Sequence, residues 1–353
     1  MGSIEREQKA PQVPEDSPIS IPIIDFLKWT SRSSDERAAV AKELADACHN
    51  VGFVFIVNHG VTPELLEGAF GWSKRLFDLK TEEKMLAPHP DGPTVHRGYS
   101  WPGLEKVSQV ISSDFEVGEK LRVITDCKES YEIGSEENDE QPNVWLPDEV
   151  FPGFRKFMTD FYWECSRASR EILTAIGTGM GLKDPEFMLK FHSGHNNQLR
   201  LLHYPPIPAA QLENESSARM PAHSDWGSIT MLFQDDCGGL EVENQRVPGQ
   251  FVKVTPIKNA IVMNIGDLLM RLFKVNTSSS YTSSCGRSLH RYGTYDESEI
   301  LDTIFQQMTK LLLPQYFSRS GWHSAVETLS QEPPRGDSPE VPLLAHLNTN
   351  HQW

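Results

Sequence analysis

The sequence predicts a mainly β protein with flanking helices, in which short antiparallel strands form a jelly roll or barrel. Apolar segments alternate with turn residues in the second half of the chain, over residues 226–234, 240–242, 249–254 and 260–267. Short strands with Gly-, Asp- and Pro-containing turns between them indicate an antiparallel architecture and not a parallel α/β sheet. The first half of the chain carries helical periodicity, so we expect the helices there.

Three segments that precede the predicted strands have the sequence pattern of helices. Apolar residues recur at helical spacing in residues 35–48 and 63–77, and residues 151–181 predict one long helix that supports the sheet. Between them, residues 129–140 are rich in Glu and Asp. Acidic runs of this kind are usually solvated, so we expect a loop there.

Composition and charge narrow the class of protein. With 353 residues, 38% of them hydrophobic, the chain can bury a sizeable core. The net charge of −16 argues against nucleic-acid binding, and no apolar stretch approaches the length of a membrane span. Five irregularly spaced cysteines indicate thiols in a reducing compartment. We expect a cytoplasmic monomer without nucleic-acid or membrane partners.

The segment from Pro221 to Thr230 contains the pair most suggestive of chemistry, His223 and Asp225. Side chains two positions apart on an extended segment point to the same side, so an imidazole nitrogen and a carboxylate oxygen lie together. One further histidine from a distant strand would complete the facial triad that binds non-haem Fe(II) and leaves positions open for substrate and O2.

The surrounding motifs carry a resemblance to a known family. Besides His-Xaa-Asp at 223–225, they are Leu-Phe-Gln-Asp-Asp at 232–236, Gly-Gly-Leu at 238–240, Asn-Ile-Gly-Asp at 264–267, and the upstream segments 21–26, 52–61, 97–99 and 199–206. In this order, from about residue 20 to 272, the chain resembles the isopenicillin-N-synthase-like family of Fe(II)- and 2-oxoglutarate-dependent oxygenases. The resemblance implies a double-stranded β-helix (jelly roll) core with a helical N-terminal region.

The resemblance also implies an organisation of the chain. We expect a disordered N-terminus, an N-terminal oxygenase region, an acidic loop with a support helix, a jelly-roll domain that diverges after residue 272, and a C-terminal tail. These segments cover residues 1–18, 19–125, 126–195, 196–320 and 321–353.

A third iron ligand is implied soon after residues 264–267, where the family carries a His-Arg pair. His290-Arg291 is the one such pair downstream, so His290 is the predicted ligand, with His323 and His346 as alternatives without family context. The interval is longer than the family pattern because it holds a Ser/Thr tract at 274–284, which indicates an inserted loop.

The co-substrate pocket is harder to assign. The family places Arg-Xaa-Ser on a later strand, where the guanidinium pairs with the distal carboxylate of 2-oxoglutarate, but this sequence has no equivalent motif. Lys310 and Arg319 are the predicted substitutes. Tyr204 matches the family tyrosine whose hydroxyl hydrogen-bonds the same carboxylate.

Other polar residues have more than one interpretation. Arg97 and Tyr99 match a loop near the pocket mouth in related enzymes, which implies substrate contact, although both residues are also compatible with a purely structural role. His59 follows a segment that is predicted to be a buried strand, so we expect it to lie in a structural turn. Three further histidines are expected to form a surface or pocket-rim group: His192, His195 and His203.

The function implied by the resemblance is an oxidation that uses Fe(II), 2-oxoglutarate, O2 and a small organic substrate, with ascorbate as an accessory reductant. Residues 96–109 are more similar to fungal than to plant members, which implies a tailoring enzyme of fungal secondary metabolism. The motifs do not choose between hydroxylation, desaturation and ring rearrangement. Two alternatives stay open: a 2-oxoglutarate-independent oxidase of the same fold, and a catalytically impaired barrel with an altered C-terminus.

Overall fold

Two facing antiparallel sheets form the centre of the protein, as seen in a computed structural model. The structure describes residues 20–92, 95–104, 125–192, 196–207, 217–225, 227–244, 247, 249–270, 290–292 and 300–307. These residues all belong to one compact unit that spans residues 1–310. The predicted N-terminal disorder, the Ser/Thr tract, Lys310, Arg319 and His195 lie outside the described residues.

The strands follow the order of a double-stranded β-helix. Their bounds are β1 Ile23–Asp25, β2 Phe53–Val57, β3 Gly98–Ser100, β4 Thr125–Asp126, β5 Glu129–Ile133, β6 Gln198–Tyr204, β7 Ser217–Ala218, β8 Met220–His223, β9 Ile229–Gln234, β10 Leu240–Glu243, β11 Phe251–Lys253, β12 Ile261–Ile265, β13 His290–Tyr292 and β14 Ile300–Gln307. The large sheet has the order β1-β2-β12-β9-β14-β6-β5-β3, and the small one β11-β10-β13-β8, with β4 and β7 paired separately. The predicted jelly-roll class is confirmed.

The large sheet is apolar on both faces, and alternation along each strand decides which face a residue joins. Met231 and Phe233 of β9 pack with the helices, whereas Leu232 between them belongs to the core between the sheets. On β6, Leu201 likewise faces the helices and Leu202 faces the small sheet. The polar residues of the same strands can therefore be assigned to a face by parity.

Four of the α-helices in the described part of the chain flank the large sheet, and the three long ones were predicted. They are α1 Ser34–Asn50, α2 Pro63–Phe77, α3 Thr81–Lys84 and α4 Phe154–Gly179. Ser33 and Thr62 cap the first two helices, because each side chain accepts a hydrogen bond from the backbone N–H three residues on. No helix in this part of the chain is long and apolar enough to cross a bilayer.

The prediction of a solvated acidic loop at residues 129–140 was wrong for its first part. Residues Glu129–Ile133 form strand β5, which pairs with β3 on one side and β6 on the other. The side chains of Glu129 and Glu132 are buried. A buried carboxylate needs charged or hydrogen-bonding partners, and these come from distant segments that a charge pattern does not reveal.

The predicted jelly-roll domain, residues 196–320, was expected to diverge from the family after residue 272. Within it, β14 lies between β6 and β9, with Ile300 opposite Tyr204 and Gln307 opposite Ile229. The residue of β14 that lies opposite Tyr204 is thus Ile300, which precedes the predicted co-substrate residue Lys310 by ten positions.

Candidate metal centre

His223 and Asp225 meet at the end of strand β8. The strand ends at His223, Asp225 follows in the connection to β9, and His223 Nε2 lies 3.8 Å from Asp225 Oδ1. The His223 side chain is mostly buried and that of Asp225 is more so. The two donors predicted from the His-Xaa-Asp motif are thus brought together.

The carboxylate of Asp225 is oriented by two side chains of the large sheet. Its Oδ2 accepts hydrogen bonds from Thr230 Oγ1 at 2.6 Å and from Asn264 Nδ2 at 2.7 Å. Thr230 and Asn264 are directly paired across β9 and β12, on the face that looks toward the small sheet. With Oδ2 held in this way, Oδ1 faces the imidazole of His223. Neither Thr230 nor Asn264 was predicted from the sequence, although Asn264 stands in a family landmark.

The loop that carries Asp225 is fixed to the residues after β12. Asp267 N donates to Asp225 O at 2.8 Å, and Gly266 N donates to Ser228 O at 2.9 Å. A Cβ atom at Gly266 would lie 2.1 Å from Gly227 O. Only glycine permits this approach of two backbones, which explains the residue type in the Asn-Ile-Gly-Asp landmark.

Position 290 lies beside the same pair. In the register of β8 and β13, His290 is directly opposite His223, and across β13 and β10 it is opposite Val242. Directly opposed residues of antiparallel strands have Cβ atoms about 4.5–5.5 Å apart on one face. Two histidines and one carboxylate are the donor set that suits a non-haem Fe(II) ion, so the residues present fit that metal.

His192 and His203 are buried, so the surface location, one of the two that the sequence predicted, was wrong for them. His192 is buried, with Nε2 at 2.8 Å from Ser228 Oγ and Nδ1 at 2.5 Å from Met188 O. His203 is buried on the helix side of β6 and pairs with Glu129 at 2.6 Å. Each imidazole ring connects segments that are distant in the sequence. The spacing of the histidines along the chain does not reveal these contacts.

His59 has the structural role that was predicted. Its ring is buried, Nδ1 accepts from Val61 N at 3.3 Å, and Nε2 lies 3.2 Å from Asn259 O. Burial lowers the pKa of His59 to about 4, against which the hydrogen bond to Asn259 acts weakly.

Tyr204 and a buried arginine lie on the inner side of this region. Tyr204 belongs to the core between the sheets, with its hydroxyl 3.8 Å from Met220 Sδ. Arg219, just before β8, is almost completely buried and interacts electrostatically with Tyr204. Burial lowers the pKa of Arg219, and its interaction with Tyr204 partly opposes that shift. Arg219 was not among the residues predicted from the sequence, because the family places this cation on a strand after His290.

Arg97 and Tyr99 are both buried, and their polar atoms contact the protein. Arg97 donates to the carbonyls of Gln141 and His96, and Tyr99 donates its hydroxyl to Glu129. A Cβ at Gly134 would lie 2.0 Å from the Arg97 guanidinium, so the two pack tightly. These contacts support a structural role, and the predicted substrate contact stays a prediction.

Comparison with protein families gives two matches. Residues 21–149 match the N-terminal region of the non-haem dioxygenases in morphine synthesis, and residues 195–284 match the 2OG-Fe(II) oxygenase superfamily. The second match contains His223 and Asp225.

Individual relatives agree with these matches. A 2-oxoglutarate-dependent dioxygenase of Aspergillus rugulosus, htyE, is 38% identical over 317 residues, which cover 89% of this chain and 91% of the relative. A proline hydroxylase of Petromyces alliaceus, buaE, is 35% identical over 249 residues, or 70% and 75% of the two chains. The crystal structure of a full-length Neurospora crassa protein in complex with alpha-KG and thymine superposes with a TM-score of 0.69 at 34% identity, covering 84% of this chain and 88% of the other.

Proposed function

We propose, because this chain belongs to the 2OG-Fe(II) oxygenase superfamily, that His223, Asp225 and His290 are the ligands of its iron. The observation that carries the assignment is the register of β8 and β13, which pairs His290 with His223, and the His223 imidazole lies 3.8 Å from the Asp225 carboxylate. The enzyme is a non-haem Fe(II)- and 2-oxoglutarate-dependent dioxygenase. When bound, Fe(II) and 2-oxoglutarate supply, with O2, the oxidising power for the substrate.

The residues around the ligands determine how the site is held. Asp225 provides the negative charge of the ligand set, and Thr230 and Asn264 fix the direction of its carboxylate. Such outer hydrogen bonds orient ligands and tune the affinity for the metal. The apolar residues between the sheets, among them Leu202, Met220 and Leu232, exclude water from the region around Tyr204.

For the distal carboxylate of 2-oxoglutarate we propose the Tyr204 hydroxyl and a basic residue. Lys310 and Arg319 are the candidates from the sequence, and the buried position of Arg219 near Tyr204 supports it as a third. A guanidinium out of contact with water is stabilised by a carboxylate, and its planar donors match one. The start of β14 next to Tyr204 carries Ile300 and Leu301, neither of which is charged.

The proposed substrate is a small organic molecule, and the proposed role is a tailoring step of fungal secondary metabolism. The relatives reported above are fungal, and their names and bound compounds refer to proline and thymine, which are compact and rich in heteroatoms. We further propose that the protein acts as a cytoplasmic monomer. A 2-oxoglutarate-independent oxidase is not favoured, because the relatives are named for their dependence on 2-oxoglutarate.

The test of the iron assignment is a pair of single substitutions. Asp225→Ala is expected to abolish stoichiometric Fe(II) binding at this site, seen as the loss of one equivalent relative to the wild type, with little change in fold, because two neutral imidazoles bind Fe(II) far more weakly than the full ligand set. Asp46→Ala, at an exposed position of helix α1, is the matched control and should retain iron. Iron content and circular dichroism are measured on both variants. Full iron content in folded Asp225→Ala protein would place the site elsewhere.

A further inference from the structure

A second group of side chains that could hold a metal ion lies at strand β5, outside the His-Xaa-Asp motif. It consists of His89, His96 and Glu132, whose donor atoms all lie within 4.8 Å of one another. Glu132 Oε2 is 3.6 Å from His96 Nδ1 and 3.9 Å from His89 Nε2. We call these three residues the β5 cluster. They fall within the N-terminal family match, residues 21–149, whereas His223 and Asp225 fall within the other match.

The β5 cluster occupies the face of the sheet that looks away from the long helices. Glu132 is paired with Gly98 of β3 and with Arg200 of β6. Its neighbours Tyr131 and Ile133 pack with the helices, so alternation turns Glu132 to the other face. In the order of the sheet, β5 is separated from β9 by β6 and β14. The cluster is therefore a different place from the Asp225 region.

The buried carboxylate of Glu132 is oriented by an arginine. Arg200 Nη2 lies 2.5 Å from Glu132 Oε1, while the second oxygen, Oε2, faces the two imidazoles. Carboxylates that ligate metals are commonly hydrogen-bonded by a neighbouring group in this way, which fixes the ligating oxygen.

His89 is oriented in the way typical of a metal ligand. Its Nδ1 lies 2.7 Å from Pro90 O, a carbonyl that can only accept, so Nδ1 carries the hydrogen. In the neutral ring the lone pair is then on Nε2, the atom that faces Glu132 Oε2. A metal ion between these two atoms would be ligated by both of them.

We propose that His89, His96 and Glu132 bind a divalent transition-metal ion of the zinc type. Imidazole and carboxylate are suitable donors, and bonds of about 2.0–2.1 Å place the donors of a tetrahedral ion about 3.3 Å apart. The separations of Glu132 Oε2 from the two imidazole nitrogens, 3.6 and 3.9 Å, are close to this value, and the imidazole nitrogens lie within 4.8 Å of each other. The His96 side chain is 44% exposed, which provides the entry path. Three protein ligands leave a position for water or another small ligand.

The experiment measures how many metal ions each variant of the metal-free full-length protein binds, with Co(II) as the probe. The wild type should bind two equivalents, Asp225→Ala one and His96→Ala one, and the double variant none. His96 is the preferred position because its exposed ring can be removed without opening the core. His49→Ala, on helix α1, is the control and should bind two. Visible absorption gives the stoichiometry, and circular dichroism confirms that each variant is folded.

The outcomes separate this site from the proposed iron site. If the wild type binds one equivalent that Asp225→Ala removes and His96→Ala keeps, the β5 cluster does not bind a metal ion, and the inference is overturned. If the wild type binds one equivalent that only His96→Ala removes, the inference stands and the iron assignment fails. Two equivalents that both survive His96→Ala would also overturn the inference.

Discussion

Two neighbouring strands hold one oxygen of the Asp225 carboxylate and so decide the direction of the other. Thr230 Oγ1 and Asn264 Nδ2 both donate to Oδ2, from directly paired positions on β9 and β12. A ligand that is held before the metal arrives loses less conformational freedom on binding.

Replacing Thr230 with Val should therefore weaken iron binding without removing a ligand. The substitution nearly keeps the volume of the side chain but deletes the donor to Asp225, and losses of such outer hydrogen bonds cost about 10–100-fold in metal affinity. Competition with a chelator measures the affinity. Ser228→Ala, which deletes the partner of His192 and no donor to Asp225, is the control. Equal affinities for Thr230→Val and the wild type would contradict the orienting role.

His59 is a residue whose charge state should affect stability. Its pKa is lowered by burial to about 4 in the folded protein, against an ordinary value of 6.5. The unfolded chain therefore binds more protons than the folded one between these values, so stability falls as the pH is lowered from 6.5 to 4.

The corresponding prediction compares the wild type with His59→Gln. The wild type should lose up to about 1.4 kcal/mol of unfolding free energy per pH unit through this histidine below about pH 6.5. In His59→Gln this contribution is absent. The slope of the unfolding free energy against pH is then smaller by the equivalent of up to about one bound proton. Urea unfolding at mildly acidic and neutral pH measures the difference. His192, which is also buried with a lowered pKa, contributes equally to both proteins. If the unfolding free energies of the two proteins vary with pH in the same way, His59 is not the source of this pH dependence.

At the scale of elements, strand β5 is joined to the helical region by a buried ion pair. Lys84, at the end of α3, lies 2.7 Å from Glu129 and also donates to Phe77 O at the end of α2. Burial would raise the pKa of Glu129, but hydrogen bonds from His203, Lys84 and Tyr99 outweigh it and the pKa is lowered. The carboxylate is thus ionised and connects four segments.

Lys84→Met should destabilise the protein by about 3 kcal/mol, because it leaves a buried carboxylate without its cation. The double variant Lys84→Met/Glu129→Gln should lose less than the sum of the two single variants. Lys74→Met is the matched control, since its pair with Asp78 on α2 is exposed and worth roughly 0.5 kcal/mol. Denaturant unfolding measures all four proteins. Strict additivity would show that Lys84 and Glu129 do not interact.

These elements also show what the sequence can and cannot predict. Periodicity predicted α1, α2 and α4, and turn residues predicted β9 to β12, because those patterns are local. β5 was missed because its glutamates are neutralised by Lys84 and Arg200, 45 and 68 residues away. The pair of His223 and Asp225 was predictable from spacing alone. The burial of Arg219 and the position of β14 depend on tertiary packing, which no local pattern encodes.

At the scale of the whole molecule, the fold around Tyr204 decides which basic side chain can pair with the distal carboxylate of 2-oxoglutarate. Arg219→Met should raise the apparent Km for 2-oxoglutarate strongly if Arg219 holds the distal carboxylate. A lost charge-assisted pair costs about 1.5–3 kcal/mol, and each ~1.4 kcal/mol is tenfold. Lys310→Met and Arg319→Met test the other two candidates. Iron content should stay constant in all three, because none is a ligand. Unchanged Km values in all three variants would reject the assignment.

The central claim is that one Fe(II) ion bound by His223, Asp225 and His290 accepts 2-oxoglutarate. Anaerobic titration of the purified protein with Fe(II) and then 2-oxoglutarate tests it most directly. We predict a visible metal-to-ligand charge-transfer band that saturates at one equivalent of each and is missing in Asp225→Ala. Iron uptake without the band would indicate a 2-oxoglutarate-independent oxidase. A folded protein that takes up no iron would indicate an impaired barrel, and either result would contradict the claim.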